Sequence, residues 1–207
     1  MLSPSKEYEL KKHKMEDDIH HASEESKRYV PVNYQGNLFT LSNTWLSIIP
    51  LSQHPMKILT IGTGHGANLC SLLRTYAAPD QSVIHCVDPW LDNGDYHTVI
   101  QNLSTLSPPH LHKIYLYRCP SEQSDQVLPF GSYDLIYIDG NHPMKNILED
   151  LVLSMKRIKK EGWIIIGHLS CPDVLAVVER ALPLYEKMIA LIQSQSNQLF
   201  IQIKSSL

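Results

Sequence analysis

Positive charge is not in excess in this sequence: 18 Lys and Arg stand against 21 Asp and Glu, a formal charge of −3 with His neutral. That excludes a strongly basic nucleic-acid coat, and no basic cluster interleaved with aromatics offers a surface for RNA or DNA. Cysteine is scarce, and Cys70, Cys86, Cys119 and Cys171 show no C-x-x-C spacing. No disulfide framework is needed, and buried thiols in a reducing compartment fit best. No apolar run approaches the roughly 20 residues that span a bilayer, so no membrane contact is expected. The N-terminus is charged rather than signal-like, which makes the cytoplasm the expected compartment. Internal repeats and low-complexity tracts are also lacking. What remains is ordinary globular material, 43% hydrophobic and 19% charged over 207 residues. That is too apolar for a disordered chain and long enough to bury a core, so one domain with a short appendage is expected.

The appendage is 1–35, a charged N-terminal arm or surface helix with Lys11, Lys12, Lys14, Glu16, Asp17 and Asp18. Only a thin apolar stripe, Tyr8, Met15, Ile19 and Ala22, runs along it. The domain proper is 36–207. Its first helix is spaced by Leu38, Leu41, Trp45 and Ile48 and closed by Pro50. From Lys57 onward, short apolar runs at 57–61, 83–87, 113–117, 133–138 and 163–166 alternate with helical patterns at 67–76, 98–106, 144–158 and 173–182. The Glu161-Gly162 pair is read as the stop of the third of these helices. This alternation predicts a parallel sheet covered on both faces. The last two β-like runs, 187–192 and 198–204, are joined by a polar stretch short enough only for an antiparallel hairpin. The expected fold is therefore α/β: a Rossmann-like doubly wound sheet, mostly parallel, with a C-terminal antiparallel hairpin.

The strongest local signal is Lys57-Ile58-Leu59-Thr60-Ile61-Gly62-Thr63-Gly64-His65-Gly66, a buried strand entering a glycine turn that opens a helix. Such a turn lets the backbone approach a ligand and aims helix N-terminal N–H groups at it. Gly62-x-Gly64-x-x-Ala67 satisfies the dinucleotide pattern, whereas Gly62-x-Gly64-x-Gly66 satisfies the one used for S-adenosylmethionine. Asp88 ends the second strand about 20 residues on, where a carboxylate accepts ribose hydroxyls in either case.

Three further segments separate the two. Val87-Asp88-Pro89-Trp90, Tyr133-Asp134-Leu135-Ile136-Tyr137-Ile138-Asp139-Gly140-Asn141-His142 and Lys159-Lys160-Glu161-Gly162-Trp163-Ile164-Ile165-Ile166-Gly167 together resemble the class I S-adenosylmethionine-dependent methyltransferases. Within that class the chain looks most like the small-molecule O-methyltransferase branch whose fourth strand ends in I-D-G-x-H. The resemblance spans about 36–204. It implies that Gly62, Gly64 and Gly66 line the cofactor, that Asp88 holds its ribose, and that Trp90 lies near the adenine or closes the pocket. Ser121 falls where the family often contacts the adenine edge. The plainer readings are a core aromatic for Trp90 and a helix N-cap for Ser121. Asp139 would belong to both the cofactor and the catalytic sets.

Two positions depart from the family pattern. Thr60 stands where most members carry an acidic residue that supports the methionyl ammonium. Gly167-His168-Leu169 replaces the acidic end of the fifth strand found in magnesium-using relatives, so a carboxylate-rich magnesium site is incomplete. The family's strand order gathers Asp139, His142 and His168 at one sheet edge. Three readings stay open: a transition-metal site of these three residues, a general base (His168 or His142) oriented by Asp139, or histidines that only satisfy strand-end hydrogen bonds. His20, His21, His110 and His112 have no ligand-like context. The expected activity is methyl transfer from S-adenosylmethionine to an oxygen, less readily a nitrogen, of a small-molecule acceptor, with divalent-metal dependence left open. The alternatives are a degenerate fold serving as a binding or interaction module and, less favoured by the hairpin, an NAD-dependent enzyme. Homo-oligomerisation is compatible with the family.

Overall fold

A computed structural model of the chain describes residues 43–104 and 112–205. The charged arm at 1–35 lies outside the described residues, as do the start of the first expected helix and His110. The elements are α1 (Asn43–Ile48), β1 (Lys57–Ile61), α2 (Ala67–Arg74), β2 (Val83–Asp88), α3 (Asn93–Ser104), β3 (Ile114–Arg118) and a short 3-10 helix (Ser121–Gln126). They continue with β4 (Tyr133–Ile138), α4 (Met144–Arg157), β5 (Ile158–Ile166), α5 (Pro172–Ala181), a 3-10 turn (Leu182–Tyr185), β6 (Ile189–Gln195) and β7 (Gln198–Ile203). The strands form one sheet in the order β3-β2-β1-β4-β5-β7-β6. β1 to β5 are mutually parallel, while β7 runs antiparallel to both β5 and β6. This is the doubly wound sheet with a terminal hairpin expected from the alternation of periods.

The inner strands are apolar on both sides because both sheet faces are covered. Ile58, Ile84, Cys86, Leu135 and Ile165 pack with Trp45, Leu69, Leu72, Leu73, Val99 and Leu103 from α1, α2 and α3. Leu59, Ile61, Ile136, Ile138, Ile164 and Ile166 face Ile147, Leu151, Met155, Val174 and Val177 from α4 and α5. Pro172 opens α5, where a missing N–H costs nothing.

Two element boundaries differ from those read in the sequence. α4 ends at Arg157, and the strand starts at once with Ile158 instead of after Glu161-Gly162. A register shift in the β4–β5 pairing and a left-handed Glu161 (φ 62°) absorb the irregularity. Gly162 is needed inside that strand because a Cβ there would stand 2.8 Å from the Ile158 side chain. α3 begins at Asn93, a turn before its apolar pattern, where the Asn93 side-chain oxygen accepts a hydrogen bond from Arg118 at 2.5 Å.

One buried titratable group sits in this core away from the glycine turn. His85 on β2 is enclosed by the rings of Tyr115, Tyr117 and Tyr133, with Nδ1 2.7 Å from the Tyr133 hydroxyl. Burial, followed by the charge of Lys57, lowers its pKa to about 3. The unfolded chain therefore binds a proton at this position below the ordinary imidazole range, about 6.5, while the folded chain does not. Its contribution to stability is complete above that value and is lost as pH falls towards 3. Asp150, raised to about 6 by burial, acts in the opposite sense. The readout is thus a comparison: melting temperatures of His85→Phe should depend less on pH between about 6.5 and 3 than those of the parent. Parallel curves would show that His85 is protonated in the fold.

Candidate active site

The C-terminal ends of β1, β2, β4 and β5 lie on one edge of the sheet, and the strand order reverses between β1 and β4. Open α/β sheets bind ligands at such a crevice. Here the hydrogen-bond ladder continues one residue beyond the strands. The N–H of Gly62 donates to Val87 O at 2.9 Å, that of Asp139 to Ile61 O at 2.8 Å, and that of Gly167 to Ile138 O at 2.9 Å.

The three glycines of the turn all have left-handed backbones, with φ of 81° at Gly62, 49° at Gly64 and 86° at Gly66. A Cβ on Gly62 would collide with the backbone of Asp139 and Gly140, whereas one on Gly64 would meet nothing within 4 Å. Asp88 grips this turn. Its Oδ2 accepts the N–H groups of Thr63 (2.8 Å) and Gly64 (3.0 Å), and its Oδ1 accepts that of Trp90 (2.8 Å). A carboxylate has about four acceptor sites, so Asp88 keeps about one for a ligand.

Trp90 is 2% exposed, packs edge-on to Tyr96 at 5.3 Å and donates its indole N–H to Gly64 O at 2.9 Å. It is a core aromatic that also braces the glycine turn. Ser121 is not an N-cap, because the cap position is Pro120; it neighbours Asp150, whose carboxyl burial raises to about 6. Thr60 is buried and lies 3.3 Å, oxygen to oxygen, from the Thr63 hydroxyl. An acidic side chain there would be a buried charge beside Cys86, whose thiol burial pushes up to about 12.

Asp139, His142 and His168 do meet at this edge. His168 Nε2 lies 3.1 Å from Asp139 Oδ1, and the two imidazole rings stack at 4.2 Å with a 52° tilt. Burial raises the Asp139 pKa, while His168, the neighbouring Tyr137 hydroxyl and His142 pull it down. Among the described residues no group of three His, Cys, Asp or Glu side chains is placed to hold a metal ion. His168 turns its Nε2 onto Asp139 Oδ1, and His142 Nε2 is buried without a hydrogen-bond partner.

Three residues of this cluster were not singled out in the sequence. Asn68 on α2 donates its amide to Asp139 Oδ2 at 2.9 Å. Tyr137, two residues before Asp139 on the same face, brings its hydroxyl to the same side of Gly167. Gly167 makes room for both, since a Cβ there would stand 2.6 Å from Asp139 Oδ1 and 3.4 Å from the Tyr137 hydroxyl. The glycine before His168 was the one available signal.

A family model described as methyltransferase domain matches residues 59–168, from the middle of β1 to His168 and therefore the whole of this edge. The chain belongs to this methyltransferase family. Solved structures agree at the level of the fold. The O-methyltransferase TomG from Streptomyces achromogenes, solved in complex with S-adenosylmethionine, is 11% identical with a TM-score of 0.59, covering 90% of this chain and 89% of its own. An O-methyltransferase from Bacillus cereus, in complex with S-adenosylhomocysteine, is 12% identical with a TM-score of 0.58, covering 91% of each chain. A Corynebacterium glutamicum protein at 11% identity has a TM-score of 0.59 and covers 92% of this chain and 91% of its own. No curated protein matches the chain. Among the described residues of this methyltransferase, no helix is long and apolar enough to cross a membrane.

Proposed function

We propose that this methyltransferase moves the methyl group of S-adenosylmethionine onto an oxygen, less readily a nitrogen, of a small-molecule acceptor, with His168 as the general base. The observation that carries the reading is the Asp139–His168 pair, which stands at the sheet edge that also carries the glycine turn. The edge fits the cofactor: Gly64 leaves open space where a side chain would stand, Gly66 would meet only Val99 at 3.7 Å, and Asp88 retains acceptor capacity. Gly62, Gly64, Gly66 and Asp88 would hold it, with Asp139 and Ser121 at its flanks. Bound there, S-adenosylmethionine supplies a methyl group on a sulfonium that is already a good leaving group. The chain's own part is alignment and proton removal. Asp139 orients the imidazole, and the ring nitrogen of His168 turned away from Asp139 takes the acceptor's proton. The net negative charge supports a small-molecule acceptor over nucleic acid.

Calorimetric titration with S-adenosylmethionine, S-adenosylhomocysteine and NAD tests this directly. Binding of the first two and not of NAD is expected, and saturable NAD binding in their place would overturn the reading. Asp88→Ala should weaken S-adenosylhomocysteine binding by about 1.5–3 kcal/mol, the range for losing hydrogen bonds to a charged group. Unchanged affinity in that variant would remove Asp88 from the site.

A further inference from the structure

The edge of the sheet opposite the crevice carries a cavity of its own. Lys57, Val83 and Asp134 stand at the starts of β1, β2 and β4, and a hollow of about 580 Å³ opens among them. That volume lies within the roughly 300–1,000 Å³ that small-molecule sites occupy. Its origin is the crossover between β3 and β4. A parallel sheet is covered on both faces by its crossover helices, and α2, α3 and α4 have 8, 12 and 14 residues, but Ser121–Gln126 forms only a six-residue 3-10 helix. The starts of β2 and β3 are left without an α-helix from that crossover, and His85 and Tyr115, paired across the two strands, line the cavity.

Much of the wall is apolar or aromatic. Pro55, Val83, Val127 and Pro129 contribute to it, and the His85 and Tyr115 rings meet edge-on at 5.2 Å. The charged groups are Lys57, Lys159 and Asp134, two cations against one anion. His85 adds no charge, because burial lowers its pKa to about 3. Asp134 is already committed, since its Oδ1 accepts the Lys159 ammonium at 2.8 Å and its Oδ2 accepts the Lys57 backbone N–H at 2.7 Å. The Lys57 ammonium is the surplus cation. It sits 5.3 Å from the centre of the Tyr133 ring, and no salt bridge joins it to a carboxylate among the described residues. Burial, then the charge of Lys159, lower its pKa, with Asp134 opposing them. A half-buried cation in this position is stabilised by an anion brought to it.

We propose that this cavity is a second ligand site, separate from the crevice, which takes a small aromatic carboxylate with its ring against Val83, His85 and Tyr115 and its carboxylate on the Lys57 ammonium. Each part of such a ligand answers a feature of the wall. The ring displaces water from apolar and aromatic surface, and one negative charge balances the one cation that Asp134 leaves over. A cationic ligand would instead meet Lys57 and Lys159 as like charges. The site stands whether or not the crevice transfers methyl groups, because it shares none of the glycine turn, Asp88, Asp139 or His168.

Cinnamate and its uncharged counterpart cinnamamide are the probes, titrated into the full chain while the histidine ring signals are followed by NMR. The His85 signal, assigned by its loss in His85→Phe, should move with a Kd for cinnamate of about 1 mM or tighter, as expected for a ligand of that size. Cinnamamide should bind at least about tenfold more weakly, the value of a charge-assisted hydrogen bond. Lys57→Met keeps the apolar stem and removes the ammonium, so the two probes should then bind within about twofold of each other. Val83→Phe puts a ring into the cavity from β2 and should weaken both probes together. The same spectra show whether each variant is folded. Equal affinity for the two probes in the wild type, or unchanged cinnamate affinity in folded Lys57→Met, would overturn the site. So would a His85 signal that stays still at about ten times the expected Kd, or cinnamate shifts confined to His142 and His168, which would put the anion in the crevice.

Discussion

Turnover in His168→Ala should fall by roughly 10²–10⁴-fold, because a positioned proton acceptor contributes about that much to a displacement reaction. Affinity for S-adenosylhomocysteine should barely change, since the glycine turn and Asp88 are held by bonds that do not involve residue 168. Chelator should have no effect on either protein. His168 is 49% exposed and contributes one ion-pair contact at 3.1 Å, so its removal should cost little in melting temperature. Full activity in the variant, with or without chelator, would transfer the proton to Asp139 or a bound water. Loss of activity on chelation that a transition metal restores would revive a metal site, and would demand that Asp139 leave its contact with His168.

Gly62→Ala should be the most damaging single substitution at the edge. The change adds one methyl group, yet that methyl would sit inside the backbone of Asp139 and Gly140, and the residue must also hold φ at 81°. The left-handed conformation alone costs about 1–2 kcal/mol for a residue with a Cβ. A backbone collision cannot be relieved by a rotamer change, so a total of about 3–5 kcal/mol is expected. At roughly 2–4 °C per kcal/mol for a chain of this size, the melting temperature should drop by about 6–20 °C. Gly64→Ala is the control, because it shares the left-handed backbone but meets nothing within 4 Å. It should lose only the conformational part. Equal losses in the two variants would show that β1 and the β4 loop separate more easily than their 2.8 Å hydrogen bond implies.

Much of this edge could be read in the chain because its residues announce themselves by strand position. Ile58 to Ile61, broken only by Thr60, and Leu135 to Ile138 are apolar runs, so the residue that follows each must stand at the sheet edge. That logic placed Gly62, Asp139 and His168 without coordinates. It failed where the decisive partner is a backbone amide, which has no residue type. The grip of Asp88 on Thr63 and Gly64, and of Trp90 on the Gly64 carbonyl, has no signature in the sequence. It failed also over distance, since Asn68 and Asp139 are 71 positions apart. The start of β5 was missed for a third reason. Lys159, Lys160 and Glu161 look like a solvated turn, yet they are part of a strand whose outer face is wet.

The ladder that runs past the strand ends has a consequence for dynamics. Gly62, Asp139 and Gly167 lie in segments that a chain trace would draw as loops, yet their amides are bonded into the middle of the sheet. Loop amides usually exchange with solvent deuterium through small local openings, whereas amides shared between central strands exchange only when the whole domain opens. These three should therefore be among the slowest-exchanging amides in the protein. The floor of the crevice is as rigid as the fold, and it cannot loosen while the fold is intact.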